Sequence, residues 1–297
     1  MTRRKTTRRP SHRRRPQRQR RRQAQPSGWL AGLAALLAIA GIIFWQMRLA
    51  PVPEAARRVK PAVKAARRPV PSPAPVRVAI VLDDFGYSEQ NVSALEQLRY
   101  PVTCAVLPNL PYSALVAEAA QRSGHEVILH MPMEPHQPSG ASKRKLERGT
   151  IYTSMKPEQV RRQLDEAIAS VPHLRGVSNH MGSRATEDPQ LMRTVASRLK
   201  SRHLYFLDSF VTEQSVAMEQ ARQAGVPCAR RDIFLDNKLD ETYIIVQLDQ
   251  LVTVAREGGV AIGIGHDRPS TLRVLRRQMP RYVRNGVTFV KVSELVR

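Results

Sequence analysis

Two adjacent carboxylates, Asp83 and Asp84, close the apolar run in "RVAIVLDDFGYS". Like charges side by side repel, and one of the pair has its pKa pushed up unless a cation lies between them. Other residues able to bind a metal or move a proton recur in the same kind of place, just after a short apolar run. "EVILHMPMEP" carries His130, with Glu134 four residues on. "GVSNHMGSRAT" carries Asn179, His180 and Arg184, and "LYFLDSF" ends in Asp208-Ser209. "DIFLDN" offers Asp236-Asn237, and "AIGIGHDRP" offers His266-Asp267. Taken singly, a strand-end Asp caps the next helix and a core His is a hydrogen-bonded structural residue. Taken together, these positions describe one face, because parallel strands closed into a barrel present their C-terminal ends side by side.

One Asp and two His suit an open zinc site with a position left for water. A cation held by one aspartate lowers the cost of keeping its neighbour ionised. On this reading Asp84, His130 and His180 bind the metal, and Asp83 is the general base that takes a proton from water. His266, across the barrel mouth, is the acid that protonates a leaving amine. Glu134, Arg184 and Asp208 stand as further candidates, while His12, His125, His136, His173 and His203 are read as surface or structural.

The elements that would position these residues alternate. Strands are expected at Val78–Leu82, Val102–Val106, Glu126–Leu129, Gly176–Ser178, Leu204–Leu207, near Arg231–Leu235, at Val260–Ile264 and at Val287–Val290. Helices are expected over 89–98 with Ser88 as cap and over 114–123 with Ser113 as cap. Others should open at Pro157, at Asp188-Pro189, at Asp240 and at Pro269. Alternating β and α elements imply a parallel sheet with helical crossovers. Seven or eight such units predict a (β/α) barrel, in places irregular. An open doubly wound sheet would carry a Gly-rich phosphate loop after its first strand, and "LDDFGYS" is not one.

The net charge of +23 is spread unevenly. Residues 1–27 are rich in Arg and hold no acidic residue. Residues 28–47, "GWLAGLAALLAIAGIIFWQM", hold no charge, and about 20 residues are enough to span a hydrocarbon core. Trp29 and Trp45 stand near the ends, where an aromatic belt would fall. This reads as an uncleaved signal anchor. It is a single pass through the inner membrane with the basic tail in the cytoplasm, residues 48–75 as a Pro/Ala/basic linker, and residues 76–297 as an exported domain in the periplasm or other extracytoplasmic space. Nucleic-acid binding by the tail is the rival reading; no aromatic interleaves its arginines. Cys104 and Cys228 are too few for a disulfide scaffold and are read as two free thiols.

Taken in order, "VLDDFGYS", "VILHMPMEP", "SNHMGSRAT", "FLDSF" and "GIGHDRPST" resemble the divergent polysaccharide deacetylase family, a branch of the carbohydrate deacetylases. The resemblance extends from about Val76 to Arg297. It implies a (β/α) barrel, a divalent metal and hydrolysis of N-acetyl groups on an amino-sugar polymer. It puts the family's aspartate pair on Asp83 (base) and Asp84 (metal), and its late strand-end histidine on His266 (acid). The better-known carbohydrate deacetylases bind metal through two histidines four residues apart, and Glu134 stands at the second of those positions. Either His180 supplies the missing nitrogen or Glu134 binds through oxygen. Their arginine-containing proline–tyrosine motif is absent, and Arg184 is the candidate to replace it.

The expected function is therefore a metal-dependent hydrolase, with zinc as the expected ion, that deacetylates a cell-envelope polysaccharide. A non-catalytic envelope module that binds glycan or protein on the same fold is the alternative. A metal hydrolase of a non-sugar amide or a phosphate is a third reading.

Overall fold

The computed structural model describes residues 76–136 and 146–297. The expected tail, membrane span and linker lie outside the described residues. Among those described, no helix is long and apolar enough to cross a membrane.

Nine parallel strands form one sheet: β1 (Val76–Phe85), β2 (Thr103–Val106), β3 (Glu126–Met133), β4 (Leu174–Met181), β5 (Tyr205–Asp208), β6 (Cys228–Arg230), β7 (Ile233–Phe234), β8 (Val260–His266) and β9 (Val287–Val290). The crossovers carry α1 (Val92–Glu96), α2 (Ser113–Arg122), α3 (Pro157–Ser170), α4 (Pro189–Ser201), α5 (Ala217–Ala224), α6 (Glu241–Gly258) and α7 (Pro269–Arg284). The hydrogen-bonded order is β6-β5-β4-β3-β2-β1-β8-β7. β9 lies against the lower half of β1, from Val76↔Val287 to Ala79↔Val290, below the point where β2 joins at Val81↔Thr103.

The two ends of this path, β6 and β7, are separated in the chain only by Arg231 and Asp232. Arg231 N donates to Asp208 O at 3.0 Å on one side, and Asp232 N donates to Ile262 O at 2.9 Å on the other. A sheet whose opposite edges are two residues apart has to curl round on itself. The result is a (β/α) barrel with its ladder interrupted at this seam, where the sequence suggested one strand near Arg231–Leu235.

Period-2 alternation divides the core. Val78, Ile80, Leu82, Leu129, Val177 and Phe206 face the helices. Ala79, Val81, Ala105, Ile128, Tyr205, Leu207, Ile262 and Ile264 fill the barrel interior. The "GIG" of β8 belongs to this pattern. Gly263 lies between the inward Ile262 and Ile264, and a Cβ there would come within 2.5 Å of Leu251 on α6. The glycine is what lets α6 seat on the strand.

Helix starts follow their sequence signals where the side chain is free to act. Asp188 Oδ1 accepts from Gln190 N and Leu191 N, both at 2.9 Å, and Pro189 opens α4. Asp240 caps α6 through Tyr243 N, and Gly259 at φ +81° ends it. Two caps differ. Ser88 closes a turn onto Gln90 N, and Asn91 is drawn to the Asp267 carboxylate at 2.8 Å, so α1 starts only at Val92. Ser113 begins α2 but donates to Leu107 O at 2.6 Å, folding the loop instead of capping.

The base of the barrel is polar inside. Glu126 Oε1 accepts from Thr103 Oγ1 (2.9 Å), Tyr205 OH (2.8 Å) and Ser293 N (3.2 Å). The segment after β9 passes beneath, packs Val292, Leu295 and Val296 against the interior, and pairs Arg297 with Cys228. Cys104 on β2 and Cys228 on β6 are buried free thiols.

Candidate metal centre

Alternation alone would point Asp83 into the barrel, after Ala79 and Val81, and Asp84 away from it. The backbone breaks the rule here. Leu82 pairs with Cys104 and Phe85 with Val106, so β1 takes three steps where β2 takes two. One residue is extra, which is a β-bulge. Asp84 absorbs it at φ +68°. That left-handed conformation costs about 1–3 kcal/mol in a non-glycine residue and marks a site held by its surroundings. With Gly86 at φ +122° completing the turn, both carboxylates reach the same mouth.

On β3, His130 follows the inward Ile128 by two residues, and on β4, Ser178 and His180 share one face. His130 pairs in register with Ser178, and its Nδ1 meets the Ser178 hydroxyl at 2.8 Å. The remaining nitrogen, Nε2, is therefore turned to the aspartates, 3.4 Å from Asp83 Oδ2 and 3.5 Å from Asp84 Oδ1. His180 Nδ1 lies 3.0 Å from the same Asp84 Oδ1, and the two imidazoles meet edge-on with centroids 4.9 Å apart. The donor atoms of Asp84, His130 and His180 all lie within 4.8 Å of one another.

These residues fit a divalent cation. Two ligands each about 2.0–2.1 Å from a tetrahedral zinc are about 3.3 Å apart, which the 3.0 and 3.5 Å separations bracket. Asp84 Oδ1 is buried without a well-directed hydrogen bond among the described residues, as are Asp83 Oδ1 and His180 Nε2. Buried polar atoms normally find partners, and three of the four without one among the described residues gather here, the fourth being Glu126 Oε2 at the base.

The electrostatics split the tandem pair. Burial pushes the Asp83 carboxyl above the usual carboxylate range, reinforced by the Asp84 charge and only partly offset by His130, His266 and His180. Burial acts on Asp84 in the same direction. The adjacent imidazoles of His130 and His180 overcome it and hold this carboxyl well below the usual range. Carboxylates driven apart in this way take separate tasks.

His266 stands beside Asp83 on the neighbouring strand, its register partner. Asp236 grips it: Oδ1 lies 2.7 Å from His266 Nδ1, and Oδ2 accepts from His266 N (2.8 Å) and Thr271 Oγ1 (2.6 Å). Burial opposes the charged imidazole, but Asp236, with Asp83 and Asp84 behind it, raises the His266 pKa above its ordinary value. The Phe234 ring lies parallel to His266, at 9° with centroids 6.4 Å apart, and the Arg231 guanidinium lies over the Phe234 ring at 3.6 Å.

The three further candidates lie apart from the cluster. Glu134 Oε2 accepts from Thr153 N and Thr153 Oγ1, both at 2.7 Å, and Oε1 pairs with Arg184 at 3.2 Å. It ties the loop after β3 to the loop after β4, and the nitrogen that lies with Asp84 and His130 is that of His180. Arg184 is spent on Glu134 and is mostly exposed. The half-buried arginine nearby is Arg231, which has Asp208, Asp232 and Asp83 as carboxylate neighbours and is held on Ser209 O and Phe210 O. Asp208 accepts from Ser215 and Phe210 N, which makes it a loop-folding residue. Asp236 was visible in the sequence only as one more strand-end aspartate. Arg231 and Ser178 carried no signal, because what they touch depends on which strands become neighbours.

Fold and site together define a class: a parallel (β/α) barrel with an Asp-His-His centre fit for a cation at the C-terminal ends of its strands. Within that class the chain belongs to the divergent polysaccharide deacetylase family, which it matches over residues 80–296. It is 38% identical to YibQ of Escherichia coli K12 over 220 residues, 74% of this chain and 67% of YibQ. It is 36% identical to a protein of Haemophilus influenzae Rd over 200 residues, 67% of this chain and 70% of that one. The crystal structure of an uncharacterised protein from Agrobacterium tumefaciens C58 superposes with a TM-score of 0.70 at 26% identity. That match covers 77% of this chain and 92% of the other.

Proposed function

We propose that the chain is a metal-dependent deacetylase that removes N-acetyl groups from an amino-sugar polymer of the cell envelope, with Asp84, His130 and His180 as metal ligands. The carrying observation is the bulge at Asp83–Asp84. It aims two carboxylates of opposite electrostatic character at the mouth that holds His130, His180 and His266. A divalent cation, zinc on this donor set, supplies Lewis acidity toward the acetyl carbonyl.

The chain's own groups do the rest. Asp83, its proton affinity raised by burial, takes a proton from the water that adds to the acetyl carbon. His266 is oriented by Asp236 through Nδ1, so Nε2 faces the mouth with a proton to give. That proton goes to the amine nitrogen as the C–N bond breaks, leaving acetate and a free amino sugar. The uncharged run 28–47 and the basic linker 48–75 support a tethered domain on the outer side of the inner membrane, within reach of a polymer. The test is acetate release from N-acetylated glycans by the zinc-loaded protein. A protein that binds zinc and releases no acetate would move the reading to a non-catalytic glycan-binding module.

A further inference from the structure

This inference rests on the metal-site reading above and concerns how His180 is held. The two histidines present different nitrogens to the centre. His130 offers Nε2, its Nδ1 being taken by Ser178. His180 offers Nδ1, which leaves Nε2 buried, with no hydrogen bond among the described residues and facing Glu147 Oε2 at 3.5 Å. The Glu147 side chain is itself only 14% exposed. Its other oxygen accepts from Tyr87 OH at 3.1 Å, and its main-chain oxygen is held by Thr150 N (3.2 Å) and Thr150 Oγ1 (2.7 Å). The residue is fixed along its whole length.

A neutral imidazole carries one proton. If Nδ1 gives its lone pair to a cation, the proton sits on Nε2, and a buried N–H without an acceptor is costly. Glu147 is the acceptor the fold brings to that nitrogen. We propose that Glu147 is a positioning residue that fixes His180 with Nε2 protonated and Nδ1 presented to the metal, and that Tyr87 orients Glu147. Tyr87 stands three residues after Asp84. The link Tyr87–Glu147–His180–Asp84 therefore leaves the aspartate turn and returns to it, coupling the β1 turn to the β4 ligand. Carboxylates behind ligating histidines set ring orientation and raise ligand basicity, and their loss typically weakens metal binding 10–100-fold.

The test titrates Zn²⁺ into the full chain and records the absorption of the Co²⁺-substituted protein, for wild type, E147A, E147Q and Y87F. E147A is expected to weaken Zn²⁺ binding about 10–100-fold and to alter the Co²⁺ spectrum, with the metal-free thermal midpoint close to wild type. E147Q keeps an acceptor oxygen without the charge and should fall between E147A and wild type. Y87F should shift affinity in the same direction by less. A residue that merely tied its loop to Tyr87 would change the thermal midpoint and leave both metal readouts alone. E147A with wild-type affinity and spectrum would overturn the role of Glu147 while leaving the deacetylase reading standing. A wild type that takes up no Zn²⁺ would overturn both. If E147A does not fold, E147Q decides: weakened binding supports the role, and wild-type binding overturns it.

Discussion

Asp83 and Asp84 are chemical neighbours with opposite surroundings, and their substitution should have different consequences. Asp84→Ala removes an oxygen from the cluster with His130 and His180, so metal content and turnover should fall together. Asp83→Asn keeps the shape and loses the proton affinity. Metal should still bind while turnover drops by about 10²–10⁴, the usual contribution of a positioned acid or base. Metal analysis and acetate release on the purified variants check both. The His266–Asp236 pair gives a pH signature. His266 acts as an acid only when protonated, so activity should fall as pH rises through its raised pKa. Asp236→Asn removes the charge that raises it and should move that limb to lower pH. The same pair contributes to stability. The raised His266 contributes below its ordinary 6.5 and loses this as pH rises through its folded value. Asp236, lowered despite burial by its His266 and Thr271 hydrogen bonds, contributes above 3.8 and loses this as pH falls. The thermal advantage of wild type over Asp236→Asn should therefore peak between those values and shrink on both sides.

The element that matters most is the end of β1. Gly86 sits at φ +122°, and an added Cβ would lie 3.0 Å from Ser113 Oγ and 3.3 Å from Leu107 O. Gly86→Ala should cost about 1–3 kcal/mol in urea unfolding and should displace the Asp84 turn, weakening metal binding as well. Gly263→Ala, 2.5 Å from Leu251 Cδ2, should cost about 1–3 kcal/mol through overpacking without touching the site. The strands were legible in the sequence as short apolar runs, and the parallel arrangement followed from their alternation with helices. The placement of Asp83, His130, His180 and His266 at strand ends was legible for the same reason. The bulge was not, since an extra residue in one strand shows only against its partner's register. Nor was the seam at Arg231–Asp232, where one short stretch of chain serves two edges of the sheet. Glu134 and Arg184, further candidates in the sequence, pair with each other and with Thr153 to fasten the loops after β3 and β4.

At the scale of the whole molecule, the barrel divides its labour between two ends. The base is closed by the Glu126 network and the segment after β9, with Arg297 paired to Cys228. The opposite end carries the carboxylates and imidazoles, with Asp83, His130 and His180 buried and Asp84 and His266 partly exposed. If residues 28–47 cross the inner membrane, reporter fusions at residue 70 should be active only with a reporter that functions outside the cytoplasm. Activity of a cytoplasmic reporter there would put the domain on the other side.

The most direct measurement is acetate release from an N-acetylated amino-sugar polymer by the zinc-loaded chain, compared with Asp83→Asn at matched metal occupancy. The expected result is release by the wild type and a loss of about 10²–10⁴ in the variant. Equal release by both, or none by a wild type with zinc bound at Asp84, His130 and His180, would contradict the assignment.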